Sequence, residues 1–122
     1  MTKIHGYFDD EDRDNRYYKL TENVTYGDIV VKAGFETDGA SIPRPLWPLI
    51  NHPFAKKIIY GAVIHDYLYN THLKPRKESD KIFIAILKDR GVPATRRFLI
   101  YWGLRIGGKK AWNTYGEKIA FQ

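Results

Sequence analysis

The chain contains no cysteine. Disulfides, thiolate nucleophiles and cysteine-held zinc or iron–sulfur centres are therefore excluded, and any metal must be held by His, Asp, Glu or backbone oxygens. Long apolar runs are also missing: no stretch approaches the roughly 20 residues of a membrane-spanning helix. The start, Met1-Thr2-Lys3-Ile4-His5, lacks a basic segment followed by an apolar one. These absences predict a soluble protein with no signal peptide and no transmembrane segment. No internal repeat or low-complexity tract interrupts the 122 residues, a length that predicts one domain with one core.

Acidic residues are scarce beyond the first third. Residues 1–40 hold 5 Lys/Arg against 9 Asp/Glu, a balance of −4, whereas residues 41–122 hold 15 against 5, a balance of +10, giving the net +6. Such polarity suits nucleic acid, an anionic surface, or a partner subunit with reversed charge, and also an ordinary solvated surface. Specific nucleic-acid binding is not expected, because the Tyr and Trp residues of the third helix and the tail read as core rather than as base-stacking platforms.

Residues 15–36 alternate β-branched and aromatic side chains (Tyr17, Tyr18, Val24, Tyr26, Ile29, Val30, Val31, Phe35) around the turn signals Gly27-Asp28 and Lys32-Ala33-Gly34. They predict a small antiparallel sheet. The preceding run Asp9-Asp10-Glu11-Asp12-Arg13-Asp14 lacks the glycine and distal glutamate of a calcium loop and reads as solvated loop. Pro43, Pro45, Pro48 and Pro53 then predict a stiff extended connector without helix. Helical spacing follows at Pro53–Asn70, Lys77–Lys88 and Ala94–Ile106, while the tail from Lys109 is apolar enough to dock but carries no clear pattern. The expected fold is α+β: a small N-terminal antiparallel sheet (1–36), a Pro-rich turn and connector (37–53), and a three- to four-helix part (54–122).

Chemistry-bearing residues concentrate in Thr37-Asp38-Gly39-Ala40-Ser41-Ile42-Pro43-Arg44 and Val63-Ile64-His65-Asp66-Tyr67-Leu68-Tyr69. Neighbours on a helix point about 100° apart, so His65 and Asp66 need different partners. Tyr69 lies one turn beyond His65, and antiparallel packing of the next helix brings Asp80 within reach of the imidazole. A histidine so oriented activates water, with Asp66 and Asp38 as ligands of a divalent cation, calcium or zinc. A rival assignment makes Ser41 the nucleophile, His65 its base and Asp80 the orienter, with Gly39-Ala40 amides or Arg44 receiving negative charge. Turn capping by Asp38 and Ser41, a pairing of Arg44 with Asp38, and a structural hydrogen-bond network around His65 stay open beside both. His5, His52 and His72 stand isolated and are not expected to be ligands.

The TDGASIPR turn, the HDYLY segment and the later aspartate of Ser79-Asp80-Lys81-Ile82-Phe83 resemble the signature of a family of uncharacterised phage and prophage proteins, domain of unknown function 1353, over about Phe35 to Trp112. That resemblance implies a phage origin, and with it a place in the host cytoplasm or the virion. A partial likeness, to the helix pair of small prokaryotic phospholipases A2, implies that His65 activates water, Asp66 binds calcium, Asp80 holds His65 and Tyr69 supports it. The cysteines and the glycine-rich calcium loop of those enzymes are absent here unless Asp38-Gly39-Ala40 substitutes for the loop. The expected function is a small metal-dependent hydrolase. The alternatives are a virion tail or baseplate accessory that meets other virion proteins or its own copies, and an inhibitor of a host protein.

Overall fold

A computed structural model describes residues 4–9, 17–37, 41–50 and 58–120. The expected α+β order is present. Strands β1 (Gly6–Asp9), β2 (Tyr17–Leu20) and β5 (Glu36–Thr37) form an antiparallel sheet in the order β1-β2-β5, while β3 (Val24–Tyr26) and β4 (Ile29–Val31) form a separate hairpin. Gly27, at φ +57°, takes the first central position of the hairpin's two-residue turn, a position that requires positive φ. The hairpin buries Val24, Ile29 and Val31 and exposes Thr25 and Val30, the period-2 pattern legible in the sequence.

Five helices follow: α1 (Trp47–Ile50), α2 (Ile59–Thr71), α3 (Arg76–Asp89), α4 (Ala94–Gly107) and α5 (Lys109–Ala120). The last four make up the helical part. Helix α2 is the central element. Residues 59–66 are buried without a break, as expected for a helix covered on every side. Ile59, Val63, Ile64 and Leu68 pack with Leu20, Val24, Ile29 and Val31 of the strands. Ile58 and Ala62 join Phe83 and Leu87 of α3, Ile100 and Leu104 of α4, and Ile42, Leu46 and Ile50. Tyr60 reaches across to the hairpin, its hydroxyl donating to the Thr25 carbonyl at 2.6 Å.

Helix α3 ends in a Schellman motif. The Val92 amide donates to Leu87 O and the Gly91 amide to Lys88 O, with Gly91 at φ +85°. Proline then starts α4: Pro93 stands just outside its first turn, as Pro75 does for α3.

Two expectations need correction, on the connector and on Asp9, and the tail, read as able to dock, gains its form. The connector is not helix-free, for Arg44–Leu46 forms a 3-10 turn that runs into α1. Pro45 and Pro48 sit in first turns, where an N–H has no intrahelical partner and its loss costs little, and Trp47 Nε1 donates to Ile42 O at 2.9 Å to close the bend. The tail is helical, because α5 lays Trp112 against Tyr69 and His72 of α2. Asp9 belongs to strand β1, whereas the rest of the acidic run lies outside the described residues, as do Asp38, His52 and the expected helix start at Pro53.

Candidate active site

The α2–α3 turn sets the geometry of the polar cluster. His72 closes α2 in the left-handed region at φ 53°, a costly conformation for a non-glycine residue. Its ring stacks on Trp112 at 3.6 Å, and its Nε2 lies 3.0 Å from the Trp112 carbonyl. The chain therefore reverses tightly, and α3 runs back along α2 with Asp80 beside His65. Ser41 approaches from the residue group just ahead of the 3-10 turn.

Ser41, His65 and Asp80 are all 0% exposed and form a continuous hydrogen-bonded chain. Ser41 Oγ lies 2.9 Å from His65 Nδ1, and His65 Nε2 lies 2.8 Å from Asp80 Oδ1. A charged Asp80 can only accept, so His65 Nε2 carries the proton shared with it; in the neutral form of the ring Nδ1 is then the acceptor for the Ser41 hydroxyl, a tautomer assigned from the network. Tyr69 donates to the same Oδ1 at 2.7 Å. Arg105, from the last turn of α4, donates to Oδ2 at 2.9 Å, and Arg76 stands 3.8 Å from that oxygen. The Arg76 guanidinium also holds the Leu104 and Arg105 carbonyls at the end of α4 at 3.1 and 3.2 Å, where a cation meets the negative end of the helix. The imidazole lies between aromatic rings, with centroids 4.4 Å from Tyr69 and 5.0 Å from Phe83.

Burial pushes the Asp80 carboxyl up, but hydrogen bonds from His65, Tyr69 and Arg105 and the charge of the His65 pair outweigh it and hold the group below its ordinary 3.8. Tyr69 moves the other way: burial and the Asp80 charge push its hydroxyl far above the usual 10.0, so it stays a donor. A carboxyl depressed in the folded state adds stability above its unfolded value, and that stability is lost as pH falls through the folded value. Urea midpoints of the parent should therefore drop steeply below about pH 4. Asp80→Asn should start from a lower midpoint at pH 6 and lose less on acidification, and an unchanged acid slope would remove Asp80 from the account.

The remaining expected site residues separate from this chain. Asp66 is buried next to it on α2, its Oδ2 3.5 Å from Asn70 Nδ2, which also donates to the Asp66 carbonyl at 2.9 Å. Arg44 is exposed, with its guanidinium 5.1 Å from the Trp47 ring centre. Among the described residues no three His, Asp or Glu side chains cluster closely enough to share a metal ion. A cleft of about 350 Å³ is lined by Pro43, Gly107, Thr114 and Tyr115 together with Lys110 and Lys118, and Ser41, His65 and Asp80 do not line it. Sequence reasoning missed Arg76 and Arg105. The first carries a signal, a cation four residues ahead of Asp80 on the same helix face, while the second reaches Asp80 only through the α3–α4 packing.

An α+β domain whose central helix supplies the histidine of a buried Ser–His–Asp chain is the class that fold and site define. The chain belongs to the family described as Protein of unknown function (DUF1353), whose model matches residues 14–104. That span starts earlier than the resemblance read from the turn and the HDYLY segment, taking in β2 to β5, and stops within α4. Two uncharacterized proteins of Sinorhizobium fredii (strain NBRC 101917 / NGR234) are similar. y4jT is 32% identical over 78 residues, covering 64% of this chain and 23% of its own, and y4iH is 31% identical over 86 residues, covering 70% and 36%. The chain thus spans about a quarter to a third of the length of these relatives. No solved structure matches.

Proposed function

We propose that this protein is a hydrolase in which His65 is the general base and Ser41 supplies the hydroxyl it activates. The observation that carries this reading is the chain of contacts from Ser41 Oγ to His65 Nδ1 at 2.9 Å and from His65 Nε2 to Asp80 Oδ1 at 2.8 Å. A serine hydroxyl is a weak nucleophile until a base takes its proton, and a base works best when its other nitrogen is fixed by a carboxylate. In the first half-reaction the Ser41 proton passes to Nδ1 as Oγ bonds to a carbonyl carbon of an ester substrate. The imidazolium returns that proton to the departing alcohol oxygen. A water molecule then gives a proton to Nδ1 as its oxygen bonds to the acyl carbon. The bond from that carbon to Oγ breaks, and the imidazolium passes its proton to Oγ, releasing the acid and restoring Ser41 and His65. Asp80 stays charged throughout and stabilises the imidazolium, while Tyr69 and Arg105 keep it oriented.

The cleft beside Pro43 lies two residues from Ser41 in the chain, and Lys110 and Lys118 suit a carboxylate or phosphate on the substrate. Both ring nitrogens of His65 are engaged, so a divalent cation next to it would be held through Asp66 rather than through the imidazole, and would polarise the substrate carbonyl. The complete burial of Ser41, His65 and Asp80 favours a second reading, in which the chain is a structural clamp in a virion tail or baseplate protein.

Hydrolysis of p-nitrophenyl esters and labelling by a fluorophosphonate probe separate these readings. The parent should be labelled and Ser41→Ala should not, and His65→Gln should slow hydrolysis by about 10²–10⁴-fold. Hydrolysis that survives Ser41→Ala but not His65→Gln makes water, not Ser41, the nucleophile at Nδ1. Neither hydrolysis nor labelling, with both variants strongly destabilised, leaves the clamp.

A further inference from the structure

We infer that the outer face of α4 docks on an anionic lipid surface, an inference independent of the proposed hydrolase chemistry. Phe98, Leu99, Trp102 and Ile106 are 63%, 53%, 51% and 82% exposed. Their spacing of three to four residues places them on one stripe of α4, and Phe98 and Trp102 meet edge to face at 6.5 Å. The opposite side of the helix, Ile100 and Leu104, is fully buried. Helix α4 is therefore apolar on two faces and the fold uses one. A contiguous outward stripe of this size marks an interaction site rather than scattered surface apolarity.

The charge around the stripe decides its occupant. From Ala94 to Ala120 the cations are Arg96, Arg97, Arg105, Lys109, Lys110 and Lys118, against the single acid Glu117. Arg97 is turned to the Val92 carbonyl and Arg105 to Asp80. Arg96 and Lys109 are exposed, with Arg96 flanking the stripe and Lys109 just past its end, while Lys110 lines the Pro43 cleft. A second copy of the chain docked through the same face would set these cations against their own symmetry mates. Nucleic acid could stack on Phe98 and Trp102 but would leave the aliphatic Leu99 and Ile106, the latter 82% exposed, without a partner. A bilayer of anionic lipids answers both features: aliphatic side chains enter the acyl boundary, Trp102 sits at the headgroup level, and the cations meet phosphates.

The test is flotation of the 122-residue chain with vesicles of equal parts phosphatidylglycerol and phosphatidylcholine, beside vesicles of phosphatidylcholine alone. Binding to the mixed vesicles should exceed binding to the neutral ones by about tenfold or more and weaken in high salt. Trp102→Ser combined with Ile106→Ser should reduce it by a similar factor without changing the thermal midpoint, because both side chains are more than half exposed. Arg96→Gln with Lys109→Gln should reduce it less. Absence of binding to the mixed vesicles overturns the inference, as does binding indifferent to the Trp102 and Ile106 changes. Sedimentation velocity showing a dimer that Ile106→Arg dissolves would overturn it too, in favour of a second copy.

Discussion

Asp80→Ala should destabilise the fold by about 3–5 kcal/mol, the range seen when one partner of a buried ion pair is removed. The reason is the number of donors that lose their acceptor together. His65 Nε2 and Tyr69 OH both point at Oδ1, and Arg105 Nη1 at Oδ2, with Arg76 close behind. None of the first two has solvent to turn to, since His65 and Tyr69 are both fully buried. Arg105 is 23% exposed and can turn partly to water, so its share of the loss is smaller. Asp80→Asn keeps one acceptor oxygen but introduces an amide whose N–H groups face the donors of Tyr69 or Arg105, and should cost less than the alanine while still more than a surface change. Urea midpoints at pH 7, with the slope checked for constancy, measure both. A loss below about 1 kcal/mol for Asp80→Ala would mean that the cluster relaxes around the gap and does not hold the helices together. Such a result would also weaken the case for a fixed His65, because the carboxylate is what selects its tautomer.

Much of this was legible in the sequence because it depended on local rules. The strand pattern of 24–31 with its Gly27-Asp28 turn, the limits of α3 between Pro75 and Gly91, and the start of α4 after Pro93 all follow from periodicity and turn chemistry. The His65–Asp80 contact was legible too, since a short connection forces neighbouring helices antiparallel and the spacing then selects Asp80. Strand β1 was not, because Gly6–Asp9 acquires its partner only from β2, across residues that read as a charged loop. Helix α5 was obscured by the Gly107-Gly108 break and by Gly116 inside it, and its docking residue Trp112 finds Tyr69 and His72 only in three dimensions. Ser41 read more readily as a turn cap than as a nucleophile, and what brings it to the site is its 2.9 Å contact with a ring 24 positions away. Arg105 was invisible for the same reason: nothing in the Leu104-Arg105-Ile106 segment announces a carboxylate on the preceding helix.

Phe83→Ala should cost about 3–5 kcal/mol, with the upper end expected. Phe83 is fully buried on α3 and touches the core on two sides. One side is Gly61 of α2, where a Cβ would stand only 3.2 Å from the Phe83 ring carbons, so the ring lies directly on helix backbone. The other is His65, at 5.0 Å between ring centres. A cavity opened here is bordered by a glycine with no side chain to swing in and by an imidazole already fixed at both nitrogens. Collapse is therefore poor, and the cost of a large-to-small change rises with the volume left empty. Phe83→Leu keeps most of the volume and should cost about 1–2 kcal/mol by the same argument. The two variants also separate packing from polarity at His65. With Phe83 truncated, the ring loses the wall that keeps it facing Ser41, while its hydrogen bond to Asp80 persists. Histidine ring resonances in the alanine variant should broaden or split, and those in the leucine variant should stay close to the parent. Matched urea midpoints for parent and Phe83→Ala would mean that α2 and α3 close the gap by moving together, and Asp80, carried on α3, would then shift with them.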